Sequence, residues 1–216
     1  MPEKILPGEH VFICGGTGSG KSVLADVYTV GMEETVIKLD IKDDTYARRL
    51  NGEPVWRGLV ENEDFEGVTS LEGVKNSQFK KIIFVPPFDQ QEPEVYDELA
   101  RYVYEQGNTR LWIDEFMLFC QGPTSYPRWF KAIAVSGRAR RATFMVCTQR
   151  PVSIPPIAIA NSQHFFVFRM NNDQDRKKMA DVTGCPKFLD PPPKYAFWYY
   201  QEGADIETVR KWKLSI

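Results

Sequence analysis

Three short clusters in this chain carry residue types that act on phosphate. The first is Gly15-Gly16-Thr17-Gly18-Ser19-Gly20-Lys21-Ser22, which matches GxxxxGK[ST]. Its glycines let the backbone turn sharply and come close to anionic oxygens. Exposed N–H groups and the head of a following helix then form an anion cradle, with Val23 completing the binding set. Lys21 is suited to reach the β- and γ-phosphates of a nucleoside triphosphate, and the Ser22 hydroxyl to ligate Mg²⁺. The second cluster is Asp114-Glu115, two acids closing the apolar run Leu111-Trp112-Ile113. Asp114 suits the Mg²⁺ water shell, and Glu115 stands where it can orient or deprotonate an attacking water. A transferase has no use for such a glutamate, whereas a hydrolase does. The third is Gln149-Arg150, closing the apolar run Thr143–Thr148. A glutamine at the tip of a central strand beside a P-loop can sense a γ-phosphate and polarise water.

These clusters need rigid elements to aim them, and the pattern supplies strands alternating with helices. Strands are expected at 10–15, 35–39, 81–85, 109–116, 143–148 and 165–168, and helices at 20–31, 43–50, 92–106, about 127–137 and 173–182. Each chemical cluster then falls just after a strand. Residues 51–79 are weakly patterned, with short strands expected at 54–57 and near 68–71. After Pro191-Pro192-Pro193, segments 196–200 and 209–214 read as a closing hairpin. The expected fold class is α/β, with a mostly parallel sheet covered by helices on both faces. Length fits one domain over 1–216, with a core of about 10–185 and a C-terminal extension of about 186–216.

Composition narrows the function classes. Of 216 residues, 43% are hydrophobic and 26% charged, with a net charge of −2. No global basic field advertises nucleic-acid binding, so any such contact must be local. The four cysteines are isolated and form no CxxC pair, which argues for reduced thiols and against a disulfide or zinc framework. His10 and His164 have no ligand cluster around them in sequence. The opening MPEKILPGEH lacks a signal-peptide pattern, and no apolar run approaches the length of a membrane span. A guanine-reading [NT]KxD is absent, which disfavours a GTPase. A soluble small-molecule kinase stays open as an alternative by size, although no arginine-rich lid is evident. An ATP-dependent assembly scaffold is a third reading.

Further stretches make a resemblance specific. Asp40-Ile41-Lys42-Asp43, Gly137-Arg138-Ala139, Thr148-Gln149-Arg150-Pro151 and Gln163–Arg169 occur in order with the P-loop and Asp114-Glu115. Together they resemble the FtsK–HerA superfamily of P-loop ATPases. The resemblance implies a RecA-like core, a homo-oligomeric ring (hexamer or pentamer), and ATP- and Mg²⁺-dependent translocation of double-stranded DNA. It also implies a neighbour's arginine acting in trans, for which Arg138 is the first candidate and Arg150 the second. Cellular members carry membrane spans, winged helices or extra barrels, for which this chain has no room. The stripped core is similar to the genome-packaging ATPases of tailless viruses with an internal membrane. Capsid or portal-vertex proteins are then expected partners, and the host cytoplasm or the packaging vertex the expected location. Zot-like phage assembly ATPases share such a core and supply the scaffold alternative.

Overall fold

The computed structural model describes residues 4–213. In chain order the elements are β1 (Val11–Cys14), α1 (Lys21–Val30), β2 (Thr35–Leu39), α2 (Asp44–Leu50), β3 (Glu66–Val68), α3 (Leu71–Asn76) and β4 (Lys81–Phe84). Then follow α4 (Pro93–Gln106), β5 (Thr109–Ile113), α5 (Phe116–Phe119), α6 (Arg128–Ser136), β6 (Ala142–Thr148), α7 (Pro156–Ala160) and β7 (His164–Phe168). The described residues close with α8 (Asp173–Thr183), β8 (Ala196–Gln201) and β9 (Arg210–Lys213).

The strands form one sheet in the order β3-β4-β2-β5-β6-β1-β7-β8-β9. All pairs from β3 to β7 are parallel, and β8 and β9 add the antiparallel hairpin. Strands β1, β4, β5, β6 and β7 are buried along their whole length. That is why they read as unbroken apolar runs instead of alternating ones. Successive side chains point to opposite faces, so Phe12, Leu111 and Phe144 join the layer packed by α4 and α6, with Leu99 and Phe130 among the contacts. Val11, Trp112 and Met145 join the opposite layer, with Leu24 and Ala25 of α1.

Several expectations shift. No strand forms at 54–57. Instead Trp56 is fully buried in the α1 layer, its ring 5.5 Å from Trp112 and 5.7 Å from Phe65, with Nε1 donating to Thr29 Oγ1 at 3.1 Å. The weakly patterned stretch thus covers part of the face that α1 leaves open. The strand near 68 ends at Val68, because Ser70 caps α3 by accepting from the Gly73 N–H at 3.1 Å. The strand expected over 109–116 stops at Ile113. Phe116 and Phe119 instead turn into α5 and pack against Phe130. Helix α7 lacked a sequence signal of its own beyond Pro155-Pro156, which suit a helix start. The last residue of the expected hairpin, Leu214, and the first three of the MPEKILPGEH opening lie outside the described residues. Among those described, no helix is long and apolar enough to cross a membrane.

Candidate active site

The carboxyl ends of the parallel strands are where an open α/β sheet places its ligands. Here β6 lies between β1 and β5, so the tips carrying Gln149, the P-loop and Asp114-Glu115 are adjacent. The P-loop leaves β1 at Gly15, pinned to both neighbouring strands. The Gly15 N–H donates to Thr148 O at 3.2 Å and the Gly16 N–H to Arg169 O at 3.0 Å. A Cβ on Gly15 would lie 2.4 Å from Phe168 Cβ, so only glycine fits. Gly20 sits at the head of α1 with φ 105°, the left-handed region that glycine tolerates. This helix has no side-chain cap and no acid in its first turn. Its leading N–H groups and dipole are therefore left for an external anion.

Lys21 arches back over the loop and donates to Gly15 O at 2.8 Å and Gly16 O at 3.0 Å. Burial pushes its ammonium below the ordinary lysine value, against the pull of the Glu115 and Asp114 carboxylates. The Ser22 hydroxyl donates to Asp114 Oδ1 at 2.7 Å. Asp114 Oδ2 lies 2.9 Å from Lys42 Nζ. Burial would raise the Asp114 carboxyl, but the Lys42 and Lys38 charges and the Ser22 hydroxyl outweigh it and hold it below its usual value. Lys42 shows the mirror case: burial would lower it, yet the two carboxylates hold it above its usual value.

Gln149 ties the two sides together. Thr17 Oγ1 donates to Gln149 Oε1 at 2.6 Å, and Gln149 Nε2 donates to Glu115 Oε2 at 3.1 Å. The other Glu115 oxygen, Oε1, is buried without a hydrogen-bond partner among the described residues. A buried carboxylate oxygen left unpaired is costly. Glu115 is buried behind Gln149, which itself lines the cleft beside the P-loop. The cleft above holds about 470 Å³ and is lined by the loop from Thr17 to Val23, with Lys42, Asp44, Arg48, Gln149 and Tyr195. That volume lies within the range usual for small-molecule sites.

This set of loop, acids and bridging glutamine can be compared with known proteins. No family model matches the chain. It is 26% identical over 214 residues to the DNA packaging ATPase P9 of Enterobacteria phage PRD1, covering 91% of this chain and 84% of that protein. The chain is similar to a viral DNA-packaging ATPase. The genome packaging NTPase B204 of Sulfolobus turreted icosahedral virus 2, solved with ATP-gammaS, superposes with a TM-score of 0.73 at 15% identity, over 98% of this chain and 100% of that one. VirB4 of Thermoanaerobacter pseudethanolicus follows the same fold with a TM-score of 0.65 at 12% identity, over 96% and 89% of the two chains. The resemblance drawn from the motifs thus leads to packaging ATPases by an independent route.

Two predicted residues of the packaging-ATPase pattern lie apart from the cluster. Arg138 belongs to a 3-10 turn, Gly137–Arg140, that precedes β6. It is exposed at the amino end of the sheet, a full strand length from its own P-loop. Arg150 follows β6 directly, but its Nε is held 2.9 Å from Oδ2 of the buried Asp175. Residues with no assigned chemistry in the sequence fill the cleft instead. Lys42 is aimed by Asp40, whose carboxylate accepts from the N–H groups of Lys42 at 3.2 Å, Asp44 at 3.2 Å and Thr45 at 2.7 Å. Asp43 takes φ 60° in that turn. Arg48 reaches the cleft from α2 while its Nη1 lies 3.4 Å from the buried Asp26 of α1. The Asp40-Ile41-Lys42 stretch was the only sequence signal for any of these. Arg48 and Tyr195 had none.

Proposed function

We propose that this chain is an ATP-hydrolysing motor that moves double-stranded DNA, packaging a viral genome into a preformed capsid. The observation that carries the reading is the unbroken contact path Thr17–Gln149–Glu115 beside Ser22–Asp114–Lys42. It supports reading Gln149 as a phosphate sensor between the cradle and Glu115, the water-activating acid. The similarity to the PRD1 packaging ATPase supplies the biological setting.

In this reading ATP lays its phosphates on the P-loop, and Lys21 exchanges the Gly15 and Gly16 carbonyls for phosphate oxygens. Glu115 Oε1 takes a proton from a water that attacks the γ-phosphorus. The bond from the γ-phosphorus to the bridging oxygen breaks, and ADP and phosphate leave. Gln149 reports the γ-phosphate to Glu115 because it touches both Thr17 and the acid. Ser22 and Asp114 would hold Mg²⁺. A hydroxyl and one buried carboxylate side by side are the hard oxygen donors this ion takes from a protein when phosphates supply the rest. When bound, the ion would neutralise charge on the β- and γ-oxygens. Lys42 keeps positive charge beside the same carboxylate.

Arg138 acts in trans on a neighbour's site within a ring. Its distance from its own P-loop supports that choice over Arg150, whose guanidinium is tied to Asp175. An arginine supplied this way is worth about 10³–10⁵ in rate. Double-stranded DNA is held through local basic loops, since phosphate contact needs charge but no base readout. The motor works in the host cytoplasm at a capsid vertex, docked on capsid or portal proteins.

Steady-state ATP hydrolysis, measured at low salt with and without long double-stranded DNA over a range of protein concentrations, tests this reading. Turnover should rise with both DNA and protein. Turnover indifferent to DNA at every concentration would overturn the motor. Mixing Arg138→Ala with Glu115→Gln chains should restore activity above either alone; no recovery would remove Arg138 from the trans role.

A further inference from the structure

Tyr195 lines the same cleft as the P-loop, and its place on the sheet says which part of a nucleotide it meets. Along the carboxyl edge the strands run β5, β6, β1, β7, β8. Asp114 and Glu115 stand at the β5 tip and Gln149 at the β6 tip. On the far side of the P-loop, Phe168 of β7 pairs with Phe197 of β8. Tyr195 immediately precedes Ala196, the first residue of β8, and continuing this register sets Ala196 opposite Arg169, whose carbonyl accepts from the Gly16 N–H at 3.0 Å. If the γ-phosphate lies toward Glu115 and Gln149, the inner phosphates fall at the head of α1, by Ser22 and Val23. The base must then extend over β7 and β8, where Tyr195 is.

The residue is also held in a way that core packing does not explain. Its backbone is left-handed, with φ 60°, which is costly for a bulky aromatic residue and is often found where a site demands it. Its ring joins neither of the two apolar layers. The turn that presents it follows Pro191-Pro192-Pro193 and is closed by the Ala196 N–H donating to Pro193 O at 3.0 Å. Lys194 Nζ lies 4.8 Å from the ring centroid and covers one face, leaving the second for a flat ligand. Aromatic faces attract stacked bases without reading their identity.

We infer that Tyr195 is the nucleobase platform of this cleft, its ring stacking on the purine of ATP. The inference rests on the nucleotide-binding reading above and names the side chain that recognises the base.

Calorimetric titration with Mg-ATP and with Mg-tripolyphosphate, a ligand with the phosphates but no base, separates the two readings. The variants are Tyr195→Asn, which tolerates the left-handed backbone but lacks a ring, and Tyr195→Phe, which keeps the ring. Tyr195→Asn should weaken ATP by about tenfold, the scale of one base–aromatic stack, and leave tripolyphosphate within about twofold. Tyr195→Phe should bind both like the parent protein. Equal weakening of both ligands would mean that the substitution disturbs the phosphate cradle, and unchanged ATP binding would mean that the base lies elsewhere. Either outcome overturns the platform while the nucleotide site stands. Failure of the parent protein to bind ATP would sink both readings.

Discussion

The two ends of this sheet both bury ionisable groups, and they treat them differently. At the amino end, Arg110 is completely buried and donates to Glu34 Oε1 at 3.0 Å and to the carbonyls of Glu9 at 2.8 Å and Phe144 at 3.4 Å. His10 stacks on Phe144 with centroids 4.1 Å apart, and its Nδ1 accepts from the Phe144 N–H at 3.1 Å. His164 sits 2.9 Å from the Tyr199 hydroxyl and 2.8 Å from Glu9 Oε2. At the carboxyl end, Lys42 bridges two carboxylates while remaining 31% exposed, and Glu115 Oε1 lacks a partner among the described residues. The difference separates buried charge closed off between strands from buried charge gathered beside a cleft. The first is fixed between the protein's own strands. The second gathers behind and around the P-loop cleft, where Lys42 stays partly open to something that arrives.

Substitutions at the two ends should therefore fail in opposite ways. The largest effect is expected from Glu115→Gln, which keeps the shape but removes the proton acceptor. DNA-stimulated hydrolysis should fall by about 10²–10⁴-fold, the usual worth of a positioned base, with the melting temperature unchanged or raised. Hydrolysis within a few fold of the parent would remove Glu115 from the chemistry and erase the contrast. Next comes Arg110→Ala, which leaves Glu34 buried without its partner. It should cost about 3–5 kcal/mol of stability, read from denaturant unfolding, while the surviving folded protein still binds ATP. Replacing both partners with apolar residues, Arg110→Met with Glu34→Leu, should recover most of that loss. No recovery would mean that the pair also serves the site.

The smallest effect is a pH dependence at the amino end. Burial, helped by the Arg110 and Arg138 charges, lowers His10 from its ordinary 6.5 to about 3. Above the ordinary value the ring is neutral in both folded and unfolded chains and adds no pH dependence. As pH falls below it, the unfolded chain takes up a proton that the folded chain refuses, so stability drops. The slope from this one group approaches about 1.4 kcal/mol per pH unit at most, down to the folded value. His10→Asn should flatten the loss of stability between pH 6.5 and 5 relative to the parent. Parallel curves would show that His10 does not carry the acid sensitivity.

The parallel strands were legible because double-sided burial writes itself as runs such as Val11-Phe12-Ile13-Cys14 and Thr143–Thr148. The P-loop was legible because close backbone approach to phosphate admits few residue types. Asp114-Glu115 and Gln149 could be read as strand-tip chemistry for the same reason. Their hydrogen bonding to each other could not, since it depends on β6 entering the sheet between β1 and β5, a long-range pairing with no local trace. Trp56 was missed as core because its layer is built by an irregular segment without periodicity. Tyr195 was missed because an aromatic residue after three prolines looks like any loop residue until the chain is folded.

The sequence by itself determined the local pattern: which strands are buried, where the glycine-rich turn falls, and which strand tips carry acids and a glutamine. Those depend on residue type and short spacing. Only the tertiary structure decided who meets whom. It brought Lys42 to Asp114 across β2 and β5, placed Gln149 between Thr17 and Glu115, sent Arg138 to the opposite end of the sheet, and set Tyr195 beside the P-loop. The physical reason is that strand order fixes neighbours far apart in the chain, and strand order is settled by the packing of whole layers rather than by any one stretch of residues.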